Sequence, residues 1–281
     1  MHQPYTTVVI TKADGTEELF DVDKLRHSLV RSGASNSATE TVISHIEQEL
    51  VPGMTTGDIY RKAFALLKKI DKRPVASRYS LKRAILDFGP TGYPFEDYVA
   101  EIFRADGWHA QTRRTLAGIC TTHEVDLFAE RDGHRIGGEV KFHNQPGLRS
   151  DVKTALYVKS RWDDLNNAAI ARGELPFEKW YLITNTHFTA QAIEYGTCAG
   201  LSLIAWDYPN EGSLQDRIEA ANLHPLTCLT TLTGSDKRHL MEESMVLCRS
   251  IVENPGALRK IGLGDRKIDR VVTESKYLCT V

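Results

Sequence analysis

No apolar stretch in the 281-residue chain reaches the roughly 18 residues that a membrane span requires, which excludes a bilayer-crossing helix. Cysteine is sparse: Cys120, Cys198, Cys228, Cys248 and Cys279 lie far apart, without the paired spacing of a zinc site or disulfide framework. They read as small buried hydrophobes of a reducing compartment. Net charge is nearly absent, at −2 with histidine neutral. Nothing global therefore attracts nucleic acid, and any such binding must use local patches. No glycine-rich loop ends in Lys-Ser or Lys-Thr, so ATP hydrolysis on a Walker-type site is not supported. Met1-His2-Gln3-Pro4 opens no signal peptide, and a cytoplasmic protein without membrane partners is expected.

What the chain does have is a spaced set of charged side chains: Glu96, Asp126, and Glu139-Val140-Lys141. Successive side chains of a strand alternate faces, so Glu139 and Lys141 share one side and Val140 turns into the core. The breakers Pro90, Gly92 and Pro94 mark a boundary, after which Phe95, Val99, Ile102 and Phe103 predict a helix with Glu96 in its first turn. Trp108 opens a following strand. His123 to Ala129 predicts another, and Asp132-Gly133 signals the hairpin turn that pairs it with the strand of Glu139 and Lys141. Two carboxylates and an ammonium then converge, which suits a divalent metal, an attacking water and a phosphodiester. A bare Asp…Glu-x-Lys pattern recurs by chance in charged chains. Its placement on a hairpin, after a helix bearing a glutamate, distinguishes this one from a salt-bridged surface hairpin of little energetic value.

Upstream, Val8 to Thr11 has strand character, Asp14-Gly15 is a turn signal, and a short return strand ends at Phe20. Asp21 caps a predicted helix carrying Val22, Leu25, Leu29 and Val30, and Thr55 or Thr56 caps another with Ile59, Ala63, Leu66 and Leu67. Downstream, Ser150 to Lys153 starts a helix, and Trp180–Thr186, Phe188–Tyr195 and Leu201–Trp206 read as a strand, a helix and a strand. Thr184 and Asn185 stand at a strand end, facing the site or, more simply, capping the next helix. From Pro225 the pattern is helical, with Leu240, Met245, Leu247 and Ile251 as apolar contributors.

These segments carry resemblances. Val9 to Gly15, Glu18, Phe20-Asp21, Lys24-Leu25, Thr56-Gly57-Asp58-Ile59 and Ala76 to Lys82 together resemble the ATP-cone, a regulatory nucleotide-binding domain, over about residues 6 to 88. The resemblance implies ATP or dATP as a regulatory ligand, with Lys12 and Lys24 supplying charge and Glu18, Asp21 and Thr56 contacting the nucleotide or ordering its site. Ala13 stands where that family usually has Arg. Phe95 to Gly147 resembles the Mrr-like branch of the PD-(D/E)xK restriction endonuclease superfamily. This implies Mg2+ or Mn2+ on Asp126, Glu139 and the Val140 carbonyl, with Lys141 on the attacking water and Glu96 acting at longer range. His123, three residues before Asp126, and His143 with Asn144 are further catalytic candidates. Lys153, Lys159 and Arg161 make a candidate phosphate-contacting face, with a solvated helix face as the alternative. Leu258 to Ile268 looks like half of a helix-hairpin-helix, in which Gly262 and Gly264 bring backbone N–H groups, and Arg266, Lys267 and Arg270 bring charge, to a DNA phosphate.

The expected fold is multidomain, α+β and α/β. An ATP-cone of hairpin and helices spans 1–92, a restriction-endonuclease-like α/β core 93–222, and a helical, helix-hairpin-helix-like region 223–281. The expected function is a nucleotide-regulated, magnesium-dependent endonuclease acting on DNA in restriction or defence, assembled as a homo-oligomer. Two competing readings stay open. One is an ATP- or dATP-responsive DNA-binding regulator with a silent nuclease core, against which the intact Glu96, Asp126, Glu139 and Lys141 argue. The other is an RNA nuclease, which the sequence does not separate from a DNA nuclease.

Overall fold

Gly15, at φ +82°, makes the first turn in a conformation that a side chain would strain. In the computed structural model, which describes residues 8–71 and 74–279, this turn joins β1 (Val9–Thr11) to β2 (Glu17–Leu19), with Val9 opposite Leu19. The opening Met1 to Pro4, the first two residues of the N-terminal resemblance, and the ends of the first and last expected domains lie outside the described residues. Asp21 caps α1 (Val22–Arg31), accepting the N–H groups of Asp23 and Lys24. After α2 (Asn36–Glu49), Thr55 rather than Thr56 caps α3 (Thr56–Ile70), in a reciprocal box with Asp58. Such a cap contributes about 1 kcal/mol. With α4 (Val75–Tyr79), these elements close a first core around Ile10, Phe20, Leu29, Val42, Ile59 and Leu67.

The next helix turns to a different core. Leu81, Ala84 and Ile85 of α5 (Leu81–Leu86), and Phe88 after it, pack with α6 (Tyr93–Ala105). There follow β3 (His109–Gln111), β4 (Arg114–Ala117), β5 (Thr122–Val125), β6 (Leu127–Arg131), β7 (His134–Lys141), β8 (Arg149–Ser150), α7 (Val152–Ala171), β9 (Lys179–Thr184), β10 (His187–Phe188), α8 (Ala190–Cys198) and β11 (Ser202–Ile204). The central sheet runs β11-β9-β7-β6-β3, with β11, β9 and β7 parallel and β6 and β3 antiparallel to their neighbours. Parallel neighbours need crossovers, and α7 and α8 supply them on one face. Alternation then assigns the side chains. Leu127, Ala129, Ile136, Val140 and Ile183 face α6 and the C-terminal helices, while Phe128, Trp180 and Leu182 face α7 and α8. Gly137 is required in β7 because the buried Trp180 ring occupies the space a Cβ would take.

The run His123 to Ala129 is not the single strand that its composition predicts. It breaks at Asp126, with β5 pairing β4 on one side of the break and β6 entering the central sheet on the other. The cysteine expectation also needs correction: Cys228 and Cys248 are buried, but Cys120 before β5 and Cys198 at the end of α8 are exposed, because both lie at the surface ends of elements.

Beyond the sheet come α9 (Leu214–Ala220), a 3-10 turn at Leu226–Cys228, α10 (Gly234–Glu242), α11 (Cys248–Glu253), α12 (Gly256–Lys260) and α13 (Asp265–Cys279). Leu240, Leu247, Ile251, Leu258 and Val271 bury against α6 and the sheet, so core and tail share one cluster. The chain is thus a mixed α/β multidomain protein. Among the described residues, no helix is long and apolar enough to cross a membrane.

Candidate active site

Register brings the acids together. Leu127 pairs with Gly138, so Asp126 stands where the antiparallel ladder would continue toward Glu139. There Asp126 Oδ2 accepts the Val140 N–H at 2.8 Å, the carboxylate replacing a backbone acceptor at the strand break. Val140 turns into the core as alternation requires, leaving Glu139 and Lys141 on the α7 face. Glu139 is 3% exposed. Its Oε1 accepts from Lys141 Nζ at 2.5 Å, and its Oε2 from Arg161 Nη1 of α7. Glu96, in the first turn of α6 and 9% exposed, accepts from Arg113 Nη1 at 3.1 Å. Burial and then the nearby charge of Glu139 push the Asp126 carboxyl well above the ordinary carboxylate range, and the Val140 N–H offsets this only in part. Glu96 contributes to the same rise and Lys141 opposes it, so all four groups lie within one another's field. Glu96 is itself raised by burial, against which Arg113 acts.

Arg113, which the sequence does not single out, and Arg161, expected there on a phosphate-contacting face, complete the site. Arg113 holds a left-handed φ of +53° and forks between Glu96 and Asp97, the latter at 2.7 Å. Strain at a non-glycine residue persists where its surroundings over-determine it. Arg161 also donates to the Glu124 carbonyl at 2.9 Å and stacks over Tyr157, with 4.6 Å to the ring centroid. It does not lie on an outward phosphate-contacting face: the Glu139 charge draws it inward. Lys159 pairs with Asp163 one turn along α7, and Lys153 stays exposed near the helix start.

The two histidine candidates part company. The His123 ring bonds Asp164 Oδ2 at 2.8 Å, and Asp164 Oδ1 also holds the Ile119 and Cys120 N–H groups, so His123 sits in a clamp on the β4–β5 loop. The His123 bond is the first reason that the Asp164 carboxyl lies far below its usual range. His143 lies two residues beyond Lys141, half-buried, its ring 3.2 Å from Ser150 Oγ. Burial, followed by the Lys141 charge, lowers it and favours the neutral imidazole. Asn185 does not cap α8, a role taken by Thr189. Its carboxamide instead accepts the His143 N–H at 2.8 Å and donates to the His143 carbonyl at 2.7 Å, fixing the backbone as it leaves β7.

The N-terminal candidates form a small ion cluster: Lys12 and Lys24 both reach Glu18 Oε2, at 3.6 and 3.4 Å, while Asp21 caps α1 and Thr56 opens α3. In the tail, Gly262 turns at φ +84° between α12 and α13, with Gly264 and Arg266 exposed. Lys267 is drawn away from that turn into an ion pair with Asp236, the capping acid of α10, at 2.7 Å.

Among the described residues, no cluster of three or more His, Cys, Asp or Glu side chains is placed to hold a metal ion. Two carboxylates and the Val140 carbonyl are nevertheless hard oxygen donors. Burial first, and the Glu139 charge second, disfavour a bare carboxylate at Asp126, a cost that a bound cation would offset, so this donor set fits a small divalent ion completed by water.

A family model described as AF1548-like, C-terminal, matches residues 224–279. An uncharacterized protein of Archaeoglobus fulgidus is 32% identical over 182 residues, covering 63% of this chain and 98% of that protein. The crystal structure of a protein of unknown function, AF1548, matches with a TM-score of 0.56 at 31% identity, covering 67% of this chain and 98% of the other.

Proposed function

The chain belongs to the AF1548-like family, and on that premise we propose that it is a divalent-metal-dependent endonuclease hydrolysing phosphodiester bonds of DNA, joined to an N-terminal domain of ATP-cone type that responds to ATP or dATP. The observation that carries this reading is Asp126 at the strand break beside the Glu139–Lys141 pair, two acids and an amine meeting at the edge of a hairpin. Mg2+ or Mn2+ held by Asp126, Glu139 and the Val140 carbonyl would acidify water and offset phosphate charge. Lys141 orients the attacking water and stabilises charge developing on the phosphate, and Arg161 holds Glu139 in place. Glu96, held by Arg113, acts through water at longer range. Gly262, Gly264 and Arg266 supply the sequence-independent grip of the tail on a phosphate, and a homo-oligomer is the working assembly.

One observation favours a second reading, a nucleotide-responsive DNA-binding regulator with a silent core. Glu139 is already paired with two cations, Lys141 and Arg161. The decisive assay incubates the protein with plasmid DNA or structured RNA and Mg2+, with and without ATP or dATP, beside Asp126→Ala and Lys141→Ala. Cleavage by wild type alone supports the site, and the preferred polymer separates DNA from RNA. Cleavage that survives both substitutions sinks the assigned residues, while none under any nucleotide leaves the regulator.

A further inference from the structure

A cavity of about 660 Å³ opens between the first hairpin and the sheet-bearing core, within the range of small-ligand sites. Both sides build it. From the N-terminal part come Lys12 and the start of α3 at Thr56–Gly57, where backbone N–H groups lack helical partners. From α5 comes Lys82, and from the core Arg149 of β8. Four cations line it (Lys12, Lys82, Arg83 and Arg149) against two acids, Asp14 and Asp207, so the excess charge is positive. Asp14 is bound by Arg149 at 3.1 Å and Asp207 by His187 at 2.9 Å, but among the described residues Lys82 has no ion pair. Lys82 is solvent-accessible yet ringed by protein. That surrounding lowers its pKa, Asp207 opposes the drop, and Lys12 adds repulsion of like charge. Two ammonium groups in each other's field are an anion site in waiting. Beside them Tyr60 and Tyr79 stack at 5.5 Å and 11°, giving the cavity an aromatic wall.

The candidate residues divide here. Lys12 and Thr56 line the cavity, whereas Glu18, Asp21 and Lys24 do not. The far wall leads to the active-site strand, since Asn185 lines the cavity and grips His143, two residues past Lys141. Arg149 is tied to the same wall by its pairing with His187.

We infer that a nucleotide binds at this junction, its phosphates held jointly by Lys12, Lys82 and Arg149, and that Asn185 relays occupancy to the strand bearing Glu139 and Lys141. The inference rests on reading the N-terminal part as nucleotide-responsive, and moves the site from within that part to the seam between it and the nuclease core. Regulation follows from differential affinity: a ligand touching both walls favours the docked state over any state in which they separate.

Isothermal titration calorimetry of ATP into the full chain tests this. Lys82→Ala and Arg149→Ala should each weaken binding about tenfold or more, the scale of one lost charged hydrogen bond. Lys24→Ala should bind within about threefold of wild type, less than 1 kcal/mol. Circular dichroism melting checks each fold, and Lys82→Gln and Arg149→Gln replace any alanine variant that fails it. Loss with Lys24→Ala and wild-type affinity in the Lys82 and Arg149 variants would overturn the inference, as would absence of ATP binding to wild type. Asp126→Ala should bind ATP normally while failing to cleave, so a wrong nuclease reading and a wrong junction site give different outcomes. For the relay, Asn185→Ala should bind ATP while the ratio of cleavage rates with and without ATP falls to one; an unchanged ratio would remove Asn185 from it.

Discussion

Two carboxylates in this molecule, the buried Glu274 and the half-buried Asp126, meet opposite fates. Glu274 of α13 is 6% exposed, and it accepts hydrogen bonds from Ser77 Oγ at 2.5 Å, from the Thr230 N–H and hydroxyl, and from the Thr231 N–H and hydroxyl. Burial alone would raise its pKa, yet those bonds together bring it below the ordinary value. Asp126 has one such bond and a like charge for a neighbour, and it moves the other way. Partners and not burial alone therefore set the direction, since the more buried acid is the one that is lowered. Glu274 is saturated with donors and serves as a fastener between α4, the loop before α10, and α13. Asp126 is left under-satisfied, which is how a protein keeps a carboxylate ready for a cation or a proton.

The contrast can be broken at its strongest point first. Asp126→Ala and Lys141→Ala should each lower plasmid cleavage by roughly 10²–10³, the scale of losing one preorganised electrostatic group. Glu274→Ala, by contrast, should leave several buried donors unpaired at about 1–3 kcal/mol each, for a loss on the order of 3 kcal/mol in chemical unfolding. A change below about 1 kcal/mol would deny Glu274 its fastening role. Removing only the charge sharpens the pair, because the two acids carry opposite pH signs. The depressed Glu274 pKa contributes stability that is present above its unfolded value near 4.5 and lost as pH falls through the folded value. The penalty of Glu274→Gln should thus be full at neutral pH and fade in acid. The raised Asp126 pKa does the reverse, with native stability declining as pH rises from the unfolded value of 3.8 through the folded one. Asp126→Asn should therefore melt higher than wild type at pH 7, with the difference vanishing below pH 4; a lower melting point at pH 7 would contradict the assigned strain. The smallest effect is expected at His123→Ala, whose ring is engaged by Asp164: cleavage within about twofold of wild type, the size of a change remote from the chemistry. A hundredfold loss would return His123 to the site.

How far the sequence reaches follows from the range of each interaction. Local rules suffice for the Gly15 turn, the Asp21 cap, the first-turn placement of Glu96 and the alternation that turns Val140 inward, because each depends on residues a few positions apart. They fail at Asp126, where His123 to Ala129 reads as one strand although the carboxylate takes a hydrogen bond from a residue 14 positions away. Arg161 reaches Glu139 across 22 positions and Arg113 reaches Glu96 across 17, the latter from a left-handed backbone that no propensity announces. Lys267 shows the same limit: its position in a glycine turn suggests a phosphate contact, and Asp236, 31 residues earlier, claims it. Glu274 fastens residues 44 and 197 positions distant, and nothing in its own helix marks it out.

The bond from the Val140 amide to Asp126 has a spectroscopic consequence. A proton or a cation that takes up the Asp126 carboxylate weakens its hold on that N–H, so the Val140 amide resonance and its exchange with deuterated solvent report the charge state of the site without any substrate present. Held in a central strand, in a residue whose side chain is buried in the core, that single amide is a built-in indicator of when the acid is armed.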